Sequence, residues 1–341
     1  MSTKFHKLIY YFITLLITGF VLIMFVIYPG INNDKHSMFA DMIYGKASKP
    51  FVYRTLLPTT VRVLSAAVPQ RIKNLLAKKI EKTGTLSKLF SKLKWEKEYA
   101  VEYSFAMLLM FLSLWGFALA VRKYFTLFYH APPWFAGSVS VLALLGLPPM
   151  FQYTSFLYDF PLLFLYTLGL IFLFRQDWKN FMLFFLIGCF NKETTILLTL
   201  IFYIYYRKKL NREIFNKLIA AQLAVFIVVK SLLFIVFKNN PGTFVEFHLI
   251  DHNLRLLTGY DLTLAVSLLG IILLVFYKWK EKPEYIKISL WAFVPLIALT
   301  LFLGYIDELR DYYEIYPSVI VLVSVSIADI VGLDIRKLKA L

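Results

Sequence analysis

Long runs of apolar residues alternate with short polar segments along most of this chain. The run 8–28 contains no charged residue, and 160–174 and 218–237 are almost as apolar. A hydrocarbon layer about 30 Å thick needs about 20 residues of helix, and helices satisfy the backbone hydrogen bonds that lipid leaves unmet. The pattern predicts membrane-spanning helices at 8–28, 104–121, 134–152, 160–174, 218–237, 262–277, 288–305 and 316–332.

Two shorter apolar segments lie between the fourth and fifth of these runs. They cover 181–190 and 194–206, and Asn191-Lys192-Glu193 separates them. Each is too short to cross a bilayer, so 181–206 is predicted to be a short broken helix pair. Polar breaks at membrane depth occur where they line a cavity. The tip of the pair is therefore a candidate binding site; the alternative is a Lys192–Glu193 pair that satisfies itself.

The segment 29–103 is the longest stretch between predicted spans, and it is rich in lysine. Such long loops escape the charge rule that orients shorter ones. Repeated apolar residues with lysines between them are typical of amphipathic helices in the headgroup region. These helices would either anchor the chain on anionic lipid or frame a site for a lipid phosphate. The apolar residues recur at helical spacing on both sides of a break at 83–85: Ile72, Leu75, Leu76 and Ile80, then Leu86, Leu89, Phe90 and Leu93.

Charge supplies the predicted topology. The chain is 59% hydrophobic and 17% charged, with a net charge of +16. Its basic residues concentrate in every second loop, as at 207–217 and 278–287, which is the positive-inside pattern of a membrane protein and not a nucleic-acid surface. Both termini are accordingly predicted to be cytoplasmic and 29–103 extracytoplasmic. The predicted fold is an all-α polytopic membrane helix bundle of about 8–10 spans, forming a single transmembrane domain over 1–341.

Two aspartates follow the first span and are candidates for proton transfer. Asp34 lies in a polar run directly after that span, and Asp41 follows seven residues later. This spacing predicts that both carboxylates share a helix face, where either could deprotonate an acceptor hydroxyl. The alternative is that Asn32-Asn33-Asp34 caps a helix.

Two arginines in the same loop are candidates for phosphate binding. Arg54 lies within Pro50-Phe51-Val52-Tyr53-Arg54-Thr55-Leu56-Leu57-Pro58, and Arg62 follows two turns later. A guanidinium offers a fixed fork of donors that matches phosphate oxygens. The alternative is that both side chains snorkel from an interfacial helix to the water.

Charged residues also precede the fourth and last spans. Asp159 is a single acid before the fourth span, and Glu308 and Arg310 open the last one. Ionisable groups at this depth are costly and therefore functional candidates. The alternative is structural, because Arg310 and Glu314 would pair four residues apart on a helix. The sequence shows no zinc signature, Walker A loop, dinucleotide fingerprint or Gly-x-Ser-x-Gly elbow.

Taken together, these motifs resemble bacterial membrane proteins related to the GT-C glycosyltransferases. The resemblance runs in order through most of the chain, although each motif alone is weak. It consists of the early aspartate, Pro-Phe-x-Tyr-Arg-x-Leu-x-Pro at 50–58, Tyr158-Asp159, Lys192-Glu193-Thr194, and Glu308-x-Arg310 before Pro317. The first loop departs from the family in lacking an adjacent Asp-Asp or Glu-Asp pair.

The resemblance implies an enzyme of the bacterial cell membrane. Such an enzyme would transfer a sugar, with inversion, from a polyprenyl-phosphate-linked donor to a glycan, lipid or protein acceptor on the extracytoplasmic side. Asp34 or Asp41 would be the general base. Basic residues would neutralise the phosphate leaving group, and the other polar candidates would complete the site: Arg54, Arg62, Lys192 and Arg310, with Asp159, Glu193 and Glu308.

Several alternatives remain open at this stage. The chain could be a transporter or flippase for a lipid-linked saccharide, or a polysaccharide polymerase or ligase. No cofactor is implied, and the use of a divalent metal is left open. The membrane lipids, donor and acceptor are the implied partners, and nucleic acid is not. The enzyme hypothesis predicts that Asp34 or Asp41, Arg54, Lys192-Glu193 and Arg310 converge on one outward-facing cavity.

Overall fold

A computed structural model of the chain describes residues 3–243, 247–259 and 261–338. It is mostly helical, as the apolar runs predict. The α-helices are α1 Thr3–Phe25, α2 Phe39–Tyr44, α3 Leu56–Ala66, α4 Gln70–Lys82, α5 Gly84–Lys92, α6 Ala100–Thr126, α7 Pro133–Leu145, α8 Asp159–Phe174, α9 Trp178–Asn191, α10 Leu197–Tyr206, α11 Arg212–Val236, α12 Leu262–Phe276, α13 Glu284–Ser289, α14 Phe293–Leu303 and α15 Tyr316–Ile330. Two short strands, β1 Tyr129–His130 and β2 Arg336–Lys337, pair antiparallel.

Five helical stretches are long and apolar enough to cross a membrane, which fits a multi-pass membrane protein. They are Lys7–Gly30, Lys97–Thr126, Pro133–Met150, Arg212–Val236 and Glu284–Leu303. Three further predicted spans, α8, α12 and α15, are shorter apolar helices of 16, 15 and 15 residues. At 1.5 Å per residue they extend only about 22–24 Å, less than a typical hydrocarbon core.

Contacts between helices define the two ends of the bundle. At one end, the Arg122 guanidinium lies 4.2 Å from the ring of Tyr10, which joins the start of α1 to the end of α6. The strand pair β1–β2 places the C-terminal segment at the same end, which we call the terminal end. At the other end, Ser155 Oγ donates to Phe25 O at 2.6 Å. We call this the loop end, because the segment between α1 and α6 lies there.

Helices α4 and α5 confirm the helical pattern predicted within 29–103, with the break at Thr83. Lys73 on α4 lies with its Nζ 2.9 Å from Glu102 Oε1 and so ties α4 to α6. Several of their apolar side chains stay exposed, including Ile72 and Leu75 at 51% and 58%. Their position in the headgroup region of a bilayer stays a prediction.

Helices α9 and α10 form the predicted broken pair. Tyr206 OH, at the end of α10, donates to Leu173 O near the terminal end of α8. Asn191 Nδ2, at the end of α9, donates to Tyr158 O at the loop end of α8. The end of α10 therefore lies at the terminal end, and the turn between α9 and α10 lies at the loop end, beside the start of α8. A β-carbon on Gly188 would lie 2.9 Å from Thr195 Cγ2, so the close approach at this turn requires glycine.

Candidate functional site

Charged side chains from four segments meet at the loop end, around the turn of the α9–α10 pair. We call them the ionic cluster. It contains three cations and five carboxylates, so its formal charge is negative when every member is ionised. Its members are Arg54 before α3, Asp159 at the start of α8, Lys192 and Glu193 at the turn, and Glu308, Arg310, Asp311 and Glu314 before α15.

Arg54 joins the first loop to the turn of the α9–α10 pair. Its Nη2 donates to Glu193 Oε1 at 2.6 Å, and its Nε lies 3.5 Å from Glu193 Oε2. Arg54 Nη1 also donates to Tyr158 OH, and its guanidinium lies 4.2 Å from the Tyr158 ring. Burial alone would lower the pKa of Arg54. The negative charge of Glu193 opposes this effect, and the net result is a raised pKa, so the arginine stays charged.

Lys192 is the least satisfied cation of the cluster. Its side chain is 6% exposed, and its Nζ lies 3.5 Å from Glu314 Oε1 and 3.9 Å from Asp311 Oδ1. It donates no side-chain hydrogen bond to any residue that the structure describes. Thr194 Oγ1 donates to the same Glu314 oxygen, and Glu314 Oε2 is buried with no partner. Buried polar groups are normally hydrogen-bonded. The Lys192 ammonium and Glu314 Oε2 are therefore both available for further hydrogen bonds.

Arg310 joins the α15 segment to the start of α8. Its Nη2 lies 2.5 Å from Glu308 Oε1 and its Nη1 3.7 Å from Asp159 Oδ2. Its guanidinium also packs 3.9 Å from the ring of Phe156. The ring on one face and the two carboxylates at the edges hold the arginine in one orientation.

Glu308 is the cluster carboxylate whose ionisation changes near neutral pH. Burial raises its pKa from 4.5 to about 7 against the opposing charge of Arg310, and Asp311 and Asp159 add to the rise. Protonation of Glu308 removes one of the excess negative charges from the cluster. The cluster therefore becomes more favourable for an anion as the pH falls through about 7.

The structure brings six of the nine predicted site residues together and leaves three apart. Arg54, Asp159, Lys192, Glu193, Glu308 and Arg310 belong to the ionic cluster. Among the described residues, no hydrogen bond or ion pair joins Asp34, Asp41 or Arg62 to it. Arg62 is exposed on α3. Its positive charge acts on the hydroxyl of Tyr44, at the end of α2, which is not a member of the cluster.

The predicted shared helix face of Asp34 and Asp41 is wrong. Asp34 lies outside α2, in a turn where its own carboxylate accepts from His36 N at 3.0 Å and Ser37 Oγ at 2.9 Å. Only Asp41 lies on α2. The N-cap position of α2 is Met38, and Asn32 Oδ1 accepts a hydrogen bond from Phe39 N at the start of that helix at 2.7 Å. Local side-chain hydrogen bonds here outcompete a continuous helix.

Two local pairings that the sequence spacing offered as structural alternatives do not form among the described residues. Residues Leu309–Tyr312 form a 3₁₀ turn, so Arg310 binds Glu308 and not Glu314. Lys192 and Glu193 do not satisfy each other, since Lys192 faces Glu314 and Glu193 binds Arg54. Long-range ion pairs replace the local ones in both places.

Four side chains in or against the cluster were not among the predicted site residues. Asp311 and Glu314 are members of the cluster, and Tyr158 and Thr194 form hydrogen bonds to Arg54 and Glu314. Each is adjacent to, or within four residues of, a predicted one, so the motifs themselves were the only available signal.

Within 3–243, 247–259 and 261–338, no group of three or more histidine, cysteine or acidic side chains is placed to hold a metal ion.

A cavity of about 310 Å³ lies at the terminal end and not at the cluster. Its lining includes Phe128, Tyr205, Tyr285 and Lys337. No cluster residue contributes to it. Comparisons with protein-family models, curated proteins and solved structures gave no match for this chain.

Proposed function

We propose that this chain is a membrane glycosyltransferase that uses a polyprenyl-phosphate-linked sugar. The supporting observation is the buried Lys192 ammonium. It donates no side-chain hydrogen bond within the described residues, whereas the two guanidinium groups of the cluster are hydrogen-bonded to carboxylates. A buried charge without hydrogen bonds is costly unless a partner satisfies it. Lys192 has ion pairs at 3.5 Å and 3.9 Å, and a phosphate oxygen would supply the close hydrogen-bond acceptor that these pairs do not.

The leaving phosphate is the part of the substrate that this cluster suits. As the bond between the anomeric carbon and the phosphate oxygen breaks, the electron pair moves to the phosphate, and Lys192 is placed to neutralise that charge. Arg310 and Arg54 are held by Glu308 and Glu193 in fixed orientations, so they contribute positive potential without reorganising. The acceptor hydroxyl forms the new bond to the anomeric carbon from the opposite face, which inverts the configuration.

Glu314 adds a site for the sugar itself. Its Oε2 is buried with no partner in the described structure, and a sugar hydroxyl can donate to it. A ligand that carries both phosphate oxygens and hydroxyls thus satisfies Lys192 and Glu314 together. Neither inorganic phosphate nor a neutral sugar alone would do so.

Localisation follows the same proposal. The charge of the loops places the terminal end in the cytoplasm of a bacterial cell and the loop end, with the cluster, outside. The donor is then a lipid-linked sugar in the outer leaflet, and the acceptor is a glycan, lipid or protein of the cell envelope. Membrane lipids surround the bundle, and no step requires nucleic acid.

The test is transfer of a radiolabelled sugar by the purified chain in lipid nanodiscs, from a panel of polyprenyl-phosphate sugars with cell-envelope extract as acceptor. Lys192→Met is expected to lower kcat at least about 100-fold, as loss of an electrostatic contact in the transition state does. Lys282→Met is the matched control, since Lys282 is also a buried lysine but lies at the terminal end, where its Nζ donates to Ser326 Oγ at 2.7 Å. Equal rates for wild type and Lys192→Met, or no transfer from any donor, contradict the proposal.

A second candidate is transport of a lipid-linked saccharide. The observation that favours it is the α9–α10 pair, because discontinuous helices with a charged turn carry substrate sites in many transporters. Transport predicts that a labelled lipid-linked saccharide changes leaflets in proteoliposomes without any change in its covalent structure. Chromatography of the recovered lipid separates the two functions.

A further inference from the structure

A second polar group lies beside the ionic cluster and is centred on Asp307. Asp307 Oδ1 lies 2.9 Å from His252 Nε2, and Asp307 Oδ2 accepts a hydrogen bond from Tyr153 OH at 2.5 Å. The His252 and Asp307 side chains are 25% and 15% exposed. Both carboxylate oxygens are therefore engaged, and one of them fixes the orientation of an imidazole.

The segment that carries His252 is firmly held. The neighbouring Asn253 is buried, and its Nδ2 donates to Thr300 O, Leu301 O and Gly304 O at 2.8–3.0 Å. Asn253 Oδ1 accepts from Ile306 N at 2.9 Å. These four bonds join the short helix Leu249–Asn253 to the end of α14 and the residue before Asp307. The His252–Asp307 distance is thus set by buried contacts and not by surface side chains.

The imidazole has one nitrogen available. Its Nε2 is used by Asp307, and its Nδ1 makes no hydrogen bond to any residue that the structure describes. The ring also stacks on Tyr305, with centroids 3.9 Å apart. Burial and the hydrogen bond to Asp307 raise the pKa of Tyr153 above its usual range, so Tyr153 remains a donor. Because the Asp307 carboxylate accepts a hydrogen bond, it favours the His252 tautomer that carries its proton on Nε2. This tautomer has a lone pair on Nδ1.

Backbone continuity places this group next to the cluster. Asp307 directly precedes Glu308, whose carboxylate holds Arg310. Tyr153 lies three residues before Phe156, whose ring packs on the same guanidinium. Adjacent Cα atoms are about 3.8 Å apart, so the His252–Asp307 pair lies beside the cluster.

We propose that His252, oriented by Asp307, is the general base of this enzyme; this inference rests on the proposed sugar transfer. His252 Nδ1 accepts the proton of the acceptor hydroxyl as its oxygen bonds to the anomeric carbon. The bond from that carbon to the phosphate oxygen breaks, and polyprenyl phosphate leaves with the electron pair. Asp307 stabilises the imidazolium, which then releases its proton to water. A base held by a carboxylate is the general arrangement for activating a hydroxyl.

The aspartates after the first span fit this role less well. Each carboxylate oxygen of Asp34 already accepts a hydrogen bond within its own turn, from His36 N and Ser37 Oγ. Neither Asp34 nor Asp41 contacts the cluster among the described residues. His252 is held beside it by Asn253.

The test compares kcat and KM of sugar transfer for His252→Ala, Asp307→Asn, Asp34→Asn and Asp41→Asn in the same nanodiscs. His252→Ala is expected to lower kcat about 100-fold or more, with KM within a few-fold, and added imidazole is expected to restore part of the rate. Asp307→Asn is expected to lower kcat with KM unchanged. His248→Ala is the matched control, because His248 lies in the same segment and its ring contacts an exposed acid, Asp251, at 3.1 Å.

The outcomes separate this inference from the proposed function. Wild-type rates for His252→Ala, or loss of transfer in Asp34→Asn or Asp41→Asn alone, overturn the role of His252 and leave the sugar transfer standing. Loss that imidazole does not restore, in a variant with a lowered Tm, also overturns it, since it indicates a structural role. Absence of transfer by wild type overturns both.

Discussion

Arg54 and Glu193 lie 139 residues apart in the chain, yet the Arg54 guanidinium donates to the Glu193 carboxylate at 2.6 Å. The pair joins the segment after α2 to the turn between α9 and α10. Arg54 is 11% exposed and Glu193 43% exposed, so water screens only one side of the pair. The ion pair therefore attaches the first loop to the turn between α9 and α10.

The first prediction concerns this pair. Arg54→Ala leaves Glu193 without its partner, and we expect the free energy of unfolding to fall by about 1–3 kcal/mol, less than for a fully buried pair because Glu193 is partly exposed. Unfolding in a mild detergent, followed by tryptophan fluorescence, measures the change. The control is Lys217→Ala, which removes the exposed pair with Glu213 and should change stability by less than about 1 kcal/mol. Equal effects of the two substitutions would show that the Arg54 contact contributes little.

The second prediction concerns Lys192 and Glu314, whose side chains are 6% and 0% exposed. Lys192→Met and Glu314→Gln each leave one buried charge uncompensated, and each is expected to cost about 3–5 kcal/mol. The double variant removes both charges, so its cost should fall short of the sum by about 1–3 kcal/mol. A double-mutant cycle on thermal unfolding measures the difference. Additive costs would mean that the two groups do not interact.

The third prediction is a pH dependence that comes from Glu308. Its pKa is raised from 4.5 to about 7 in the folded protein, so the folded state holds a proton that the unfolded state has released. The corresponding stability is complete below about pH 4.5 and is lost as the pH rises through about 7. We expect Tm to fall by a few degrees from pH 5 to pH 8, and Glu308→Gln to flatten that slope. A Tm slope that is the same in wild type and Glu308→Gln would assign the dependence to another group.

The fourth prediction concerns Asn253, whose side chain makes four buried hydrogen bonds to the backbone at 300–306. Asn253→Ala leaves these backbone groups unsatisfied, and we expect a loss of about 2–4 kcal/mol. Hydrogen exchange should quicken at 247–253 and 304–307 before the rest of the bundle. Asn33→Ala is a suitable control, because its amide makes only exposed contacts: Nδ2 donates to Tyr153 O, and Oδ1 accepts from Lys94 Nζ. Unchanged exchange in Asn253→Ala would show that other contacts fix this segment.

The fifth prediction tests the orientation of the bundle. In a Cys189→Ser background, Ser87→Cys on α5 and Lys208→Cys after α10 place single exposed thiols at the loop end and the terminal end. Cys189 is fully buried, and serine is close to cysteine in size. In intact cells an impermeant maleimide should label Ser87→Cys and spare Lys208→Cys until the membrane is opened. Labelling in the opposite order would invert the topology inferred from loop charge.

The sequence alone determined where most of the helices lie and that several of them are long and apolar enough to cross a membrane. Apolar runs fix helices through hydrocarbon length and backbone hydrogen bonding, and both are local properties. The break at 192–196 and the two lysine-rich helices α4 and α5 were also predictable, because their signals lie within a few residues. The predicted bounds of α8, α12 and α15 match the structure to within two residues. Helix α6 extends beyond its predicted span of 104–121 at both ends, because hydropathy marks the apolar part of a helix and not its polar ends.

Only the tertiary structure decided which charges meet. Spacing suggested Arg310 with Glu314, and Asp34 with Asp41, because spacing reads only neighbours on one helix. The fold instead pairs Arg54 with Glu193 and Lys192 with Glu314, across more than a hundred residues. Buried charges seek the nearest compensating charge in space. That choice depends on how the α9–α10 turn, the first loop and the segment before α15 pack together, which no local pattern in the chain specifies.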